Sequence, residues 1–162
     1  MTFRPNITVA AVIRWQDSFL LVEERDHGRQ VFNQPAGHLE AGENLIEAVQ
    51  REVKEETGLS ITPDGWLGAY LYSTPYRHLT YLRFCFFCEL VTPPGKHTPN
   101  DPDNDIIDCH WLTYEQINQL GSKLRSPLVL ECIEAYLDGP HLSLETLRDR
   151  RSPTLRLTLI HK

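Results

Sequence analysis

Three glutamates near the middle of the chain, Glu52, Glu55 and Glu56, carry its strongest chemical signal. On a helical wheel at about 100° per residue, Leu45, Ile46, Val49 and Val53 gather between about 0° and 100° as an apolar stripe. Glu47, Gln50 and Lys54 fall between about 140° and 200°, on the solvent side. Glu52 and Glu56 land within about 20° of Leu45, and Glu55 lies about 80° to the same side. A solvated acidic helix end is the common fate of such a run, but a solvated face belongs opposite Leu45 and not beside it. Carboxylates gathered in the last turns repel one another and are disfavoured by the helix dipole. Arg51 and Lys54 are not expected to neutralise all three, since Lys54 points away. A bound divalent cation resolves the conflict. Oxygen donors on one rigid element suit Mg²⁺ or Mn²⁺, and no histidine or cysteine stands in the cluster to indicate zinc.

The helix carrying these acids is expected over Glu43 to Thr57, closed by Gly58 as the residue after its end. Before it, Asn6 to Arg14 reads as a buried strand, Asp17-Ser18 as a turn, Phe19 to Glu24 as the returning strand, and Val31 to Gln34 as a short strand stopped by Pro35. After it, Gly65 to Ser73 and Tyr81 to Val91 read as strands around a turn at Pro75 to His78. Pro93 to Asp105 reads as a loop, and Ile106 to Leu112 as another strand. Thr113 to Gln116 opens a small helix. Ser126 reads as the N-cap and Pro127 as the first residue of a helix running from Leu128 to Leu137. Strands interspersed with helices indicate an α/β chain whose mixed sheet is covered on both faces, an α/β/α sandwich.

Composition narrows the function classes. The chain has 162 residues, 41% hydrophobic and 23% charged, enough for one sizeable core. Its net charge of −6 supplies no general basic field for nucleic acid. No stretch approaches the ~20 apolar residues of a membrane span, and no secretory signal is visible. Cys85 and Cys88 have CxxC spacing, but in a strand they point to opposite faces and cannot share a metal. Buried, reduced cysteines and a cytoplasmic location are the expectation.

Gly37, Glu43, and the run Arg51-Glu52-Val53-Lys54-Glu55-Glu56-Thr57-Gly58-Leu59 form a longer pattern that resembles the complete signature of the Nudix hydrolases. From average composition, a match to all nine specified positions somewhere in this chain has a chance on the order of 10⁻⁷. Asn33 to Glu40, Leu82-Arg83-Phe84, Ile107-Asp108-Cys109 and Leu124 to Val129 are similar to the bacterial NudJ-type members. The likeness runs over roughly residues 5 to 139. It implies the Nudix fold, with the signature as loop–helix–loop, over a domain of residues 1–140. Residues 141–162 then form a C-terminal appendage of unassigned role. The resemblance also implies Mg²⁺-dependent, or Mn²⁺-dependent, hydrolysis of a diphosphate linked to another group. Glu52, Glu55 and Glu56 would act in catalysis and bind the metal together with the Gly37 carbonyl, and Glu43 and Arg51 would form a structural ion pair. The NudJ-type likeness implies release of phosphate from nucleoside di- and triphosphates, thiamine diphosphate and its hydroxymethylpyrimidine diphosphate precursor.

The partner expected is therefore a small-molecule diphosphate or nucleotide, with no nucleic acid or membrane, and the chain is expected as a monomer or homodimer. Arg4, Arg83 and Arg125 are candidates to reach phosphates, His38 to line the site, and Asp105 to supply an acid from the Asp103–Asp105 loop. Ser126 and Pro127 head a helix whose first amides suit an anion. Phe32, Tyr70, Tyr72 and Tyr81 are candidates for stacking on a ring. Pro75 and Tyr76 lie where Nudix subfamilies carry markers for ADP-ribose and dinucleoside polyphosphates. These substrates, and a non-catalytic ligand sensor of the same fold, are the alternatives.

Overall fold

The computed structural model describes residues 2–150. Its elements run β1 (Asn6–Trp15), β2 (Ser18–Asp26), β3 (Arg29–Asn33), β4 (Ala36–His38), α1 (Leu45–Thr57), β5 (Gly65–Ser73), β6 (Thr80–Glu89), β7 (Ile106–Thr113), α2 (Tyr114–Leu120) and α3 (Leu128–Asp138). All seven strands join one mixed sheet, in which β1 lies parallel to β6 and the other pairings are antiparallel.

β1 is the axis of the molecule because Thr8 to Ile13 are buried on both faces. Ala10 and Val12 face one core, with Phe19, Leu21, Cys85 and Phe87 of the sheet and Ile117, Val129, Cys132, Ile133 and Tyr136 of α2 and α3. Val9, Ala11 and Ile13 face the other, with Leu20, Phe86 and Cys88 of the sheet and Ala48, Val49 and Val53 of α1. The sheet is thus covered by α1 on one side and by α2 and α3 on the other, an α/β/α sandwich. Cys85 and Cys88 are buried in different cores, as strand alternation requires.

The β1–β2 hairpin pairs only beside its turn, at Arg14↔Phe19 and Trp15↔Ser18. Beyond that point the two strands part: β1 takes β6 along its length, and β2 takes β7 and β3. The opening is filled by β4, which pairs with β1 through Thr8↔His38, Val9↔Gly37 and Ala10↔Ala36. No strand was expected after Pro35, because three residues centred on a glycine show no periodicity. β3 starts at Arg29 and ends at Asn33, not Gln34.

α1 starts at Leu45 and not at Glu43. Asn44 caps it, accepting from the Glu47 N–H while Glu47 accepts from the Asn44 N–H. Gly58 ends it at φ 80°, in the left-handed region. At α3 the expected Ser126 cap is absent. Pro127 holds the cap position, and no side chain bonds to it.

The boundary expected at residue 140 is not a break in packing. Leu142 and Trp66 exchange backbone hydrogen bonds at 2.9 and 3.0 Å, and the Trp66 indole donates to Thr146. Leu144 and Leu147 pack against the α1-side core. Of the appendage expected over 141–162, residues 151–162 lie outside the described residues.

Candidate active site

The end of α1, β4 and the loop before β7 border one cleft of about 810 Å³. Gly37, His38, Arg51, Glu52, Glu55 and Glu56 line it on the α1 side, and Asp101, Asp103 and Asp105 face them from the loop. Arg83 and Arg125 line it further along, with Ser126, Tyr72 and Tyr81. Arg4 is exposed and is not part of the cleft. Phe32 and Tyr70 pack against the core on the α2–α3 side instead of serving as free ring platforms.

The glutamates differ in burial as their angles on α1 dictate. Glu56 is 6% exposed. The side chain of Glu52 is 12% exposed and that of Glu55 27%. One Glu56 oxygen accepts the Ala36 N–H at 3.0 Å, and among the described residues nothing donates to the other. Burial pushes the Glu56 carboxyl well above its ordinary value, and Glu24 adds to the rise. Burial raises Glu52 in the same way, against the pull of Arg51.

Glycine at 37 is a steric requirement. A Cβ there would stand 2.1 Å from Cδ of Glu52, so the carboxylate lies directly against the β4 backbone.

Arg51 is the counter-ion of two of the three acids and does not reach Glu56. Its guanidinium donates to Glu52 at 2.8 Å and to Glu55 at 3.2 Å. It also grips Glu43 through two bonds, 2.7 and 3.0 Å, and the His38 carbonyl at 2.9 Å. Its bond to Glu43 raises the arginine, and the same contact holds Glu43 below its ordinary value in spite of burial. Arg51 therefore draws Glu52 and Glu55 to itself while Glu56 turns to β4, so no three acids, histidines or cysteines among the described residues form a closed ligand cage. The donor set nevertheless fits a hard cation. Glu56 keeps a buried, unpartnered carboxylate oxygen, Glu52 lies against Gly37, and every donor is oxygen.

The loop before β7 is built around Asp101, whose carboxylate accepts from the backbone of Asp103, Asp105 and Ile106. It is tied to the end of α1 by Thr98 N–H to Thr57 C=O at 3.1 Å and Asn100 N–H to Glu55 C=O at 2.7 Å. Asp105 is thereby held at the cleft with its own carboxylate exposed.

Sequence reasoning missed a buried polar chain along the other wall. Glu24, 5% exposed, accepts from Arg125 at 2.5 Å and from Asn33 at 3.4 Å. Gln34 donates to the Val129 carbonyl of α3 at 2.7 Å. Burial raises Glu24 despite Arg125. Strand alternation held the signal, since Glu24 follows the buried Leu20 and Val22 at every second place.

A model of the NUDIX domain matches residues 3–131. The chain is 42% identical over 153 residues to a protein of Escherichia coli K12 named phosphatase NudJ, covering 93% of this chain and 95% of that one. A solved NUDIX hydrolase from Nitrosomonas europaea is 40% identical, with a TM-score of 0.83 over 91% of this chain and 98% of that one. A MutT protein structure from Methanosarcina mazei, 22% identical, shares the fold at a TM-score of 0.69 over 85% of this chain and 98% of that one.

Proposed function

The chain belongs to the Nudix hydrolase family and is a phosphohydrolase; from that premise we propose that it is a Mg²⁺-dependent enzyme cleaving phosphoanhydride bonds of nucleoside di- and triphosphates and related organic diphosphates, thiamine diphosphate and its hydroxymethylpyrimidine precursor among them, with release of inorganic phosphate. The observation that carries this reading is the buried Glu56 carboxylate, short of donors, beside a Glu52 that only glycine at 37 allows to approach. The likeness to proteins named phosphatase NudJ supports phosphate as the product.

Glu52, Glu55, Glu56 and the Gly37 carbonyl would hold the cation, with Mn²⁺ an acceptable substitute. When bound, it supplies a Lewis acid for phosphoryl oxygens and acidifies a water. Arg51, fastened to Glu43, keeps the α1 carboxylates in place and removes part of their mutual repulsion. Glu52 and Glu56, and the carboxylates of the Asp103–Asp105 loop across the cleft, are the candidates to take a proton from the attacking water. His38, Asp105 and Arg125 border the substrate's path. Four free cysteines, three of them buried, suit a reducing, cytoplasmic setting.

The test is phosphate release from nucleoside di- and triphosphates and thiamine diphosphate, with products resolved and Mg²⁺ titrated. Inorganic phosphate from a nucleoside triphosphate is expected. Pyrophosphate as the sole product, or turnover unaffected by a chelator, would overturn the reading.

A further inference from the structure

The cleft arginines are not equivalent. Arg51 is paired with Glu43, Glu52 and Glu55, and Arg125 with Glu24 and Asp26. Arg29 and Arg77 also border the cleft, but both are exposed, on the Ser122 carbonyl and on His27. Arg83, on β6, is 7% exposed and has no carboxylate within ion-pair distance among the described residues. Its hydrogen-bond partners are neutral amide oxygens, Gln34 at 3.2 Å and Asn33 at 3.4 Å, together with the Cys132 sulfur of α3. Both amides are oriented from behind: Gln34 gives its N–H to Val129 C=O, and Asn33 gives its own to Glu24. Each therefore turns its oxygen to the guanidinium. A guanidinium carries five N–H donors and a charge that is not shed at any ordinary pH. Bonds to two amides and one sulfur still leave donors over, and a buried cation without a carboxylate beside it is costly.

Arg83 shares its row of the sheet with Thr8 and, across β1, with His38. Two strand spacings, about 10 Å, separate the backbones of Arg83 and His38. On the neighbouring wall of the cleft are Ser126 and Leu128, at the N-terminal end of α3, where helix polarity favours negative charge. We propose that Arg83, held by Asn33 and Gln34 beneath the start of α3, is an anion subsite that takes a phosphate group of the substrate other than the one at the α1 glutamates. This rests on the phosphohydrolase reading for its substrate, and it gives the Asn33-Gln34 pair a role as positioning residues for Arg83.

The subsite is tested on the full chain in two arms. In the first, inorganic phosphate is titrated calorimetrically with a chelator present, so the α1 glutamates hold no metal. Wild type is expected to bind, Arg83→Gln at least 10-fold more weakly, and Arg83→Lys in between. Wild type failing to bind millimolar phosphate would mean that Asn33, Gln34 and Cys132 already satisfy Arg83, and would overturn the subsite. Variants that bind as wild type does would overturn it equally. If Arg83→Gln does not fold, the charge-preserving Arg83→Lys decides. In the second arm, Mg²⁺-supported turnover of a nucleoside triphosphate is measured. Arg83→Gln is expected to raise KM at least 10-fold, to change kcat less than 3-fold, and to leave the Mg²⁺ dependence as in wild type; an unchanged KM would overturn the assignment. An inactive wild type that still binds phosphate through Arg83 would refute the phosphohydrolase reading and leave the subsite standing.

Discussion

At Glu56 the catalytic and structural demands oppose each other. A carboxylate 6% exposed, with one N–H donor, is poorly solvated by its own protein. Glu56→Gln is expected to lower kcat at least about 100-fold, the usual scale for a lost proton-transfer group. The melting temperature, read by circular dichroism, should hold or rise because a buried charge is removed. Gly37→Ala makes the complementary test. The backbone at 37 needs no left-handed conformation, and the obstacle to a methyl is the movable end of Glu52. The variant should fold, yet bind Mg²⁺ at least about 10-fold more weakly by calorimetry, within the range for disturbed metal-site support. Thiol chemistry adds a pH-dependent prediction. Burial pushes Cys88 up to about 11 and Cys109 up to about 12. Raised values mean protonated thiols below those pH values, and the thiolate is the reactive form. At pH 8 both should resist iodoacetamide in the native protein and react in denaturant; fast native labelling of either would contradict its raised value.

At the scale of elements, α1 was the most legible part of the chain. Its apolar stripe and the angles of Glu52 and Glu56 follow from sequence spacing alone, and their burial follows those angles. The wheel did not show which acids Arg51 takes, because angle says nothing of the reach of a long side chain, which extends to Glu43 as well as to Glu52 and Glu55. It also missed Asn44 as the cap. Asn44→Ala should cost about 1 kcal/mol in denaturant unfolding. β4 and the Asn33–Gln34–Arg83 chain were obscured for another reason: each is defined by partners 9 to 95 residues away, which no local period reports. Gly58 couples elements more tightly. At φ 80°, with a Cβ that would meet Thr98 Oγ1 at 2.4 Å and its carbonyl at 2.9 Å, Gly58→Ala strains both the helix end and the loop carrying Asp101 to Asp105. A loss of about 1–3 kcal/mol is expected, measured by the same unfolding.

At the scale of the whole molecule, the segment after α3 belongs to the packing. Truncation after residue 140 removes Leu142 from Trp66 and strips Leu144 and Leu147 from the α1-side core. A loss of about 2–4 kcal/mol is expected from the uncovered apolar surface, again by denaturant titration. An undiminished midpoint would show that this contact adds nothing. The parallel pairing of β1 with β6 bears on how the chain is made. Every residue of β1 from Asn6 to Arg14 waits for a partner 75 positions later, Tyr81 to Glu89. At ribosomal speeds of about 5–20 residues per second, that wait lasts roughly 4–15 s. For those seconds β1 has only β2 at Arg14 and Trp15 and β4 at Thr8 to Ala10 as neighbours, and its other edge stays open, a foothold for a chaperone on the strand that becomes the buried axis.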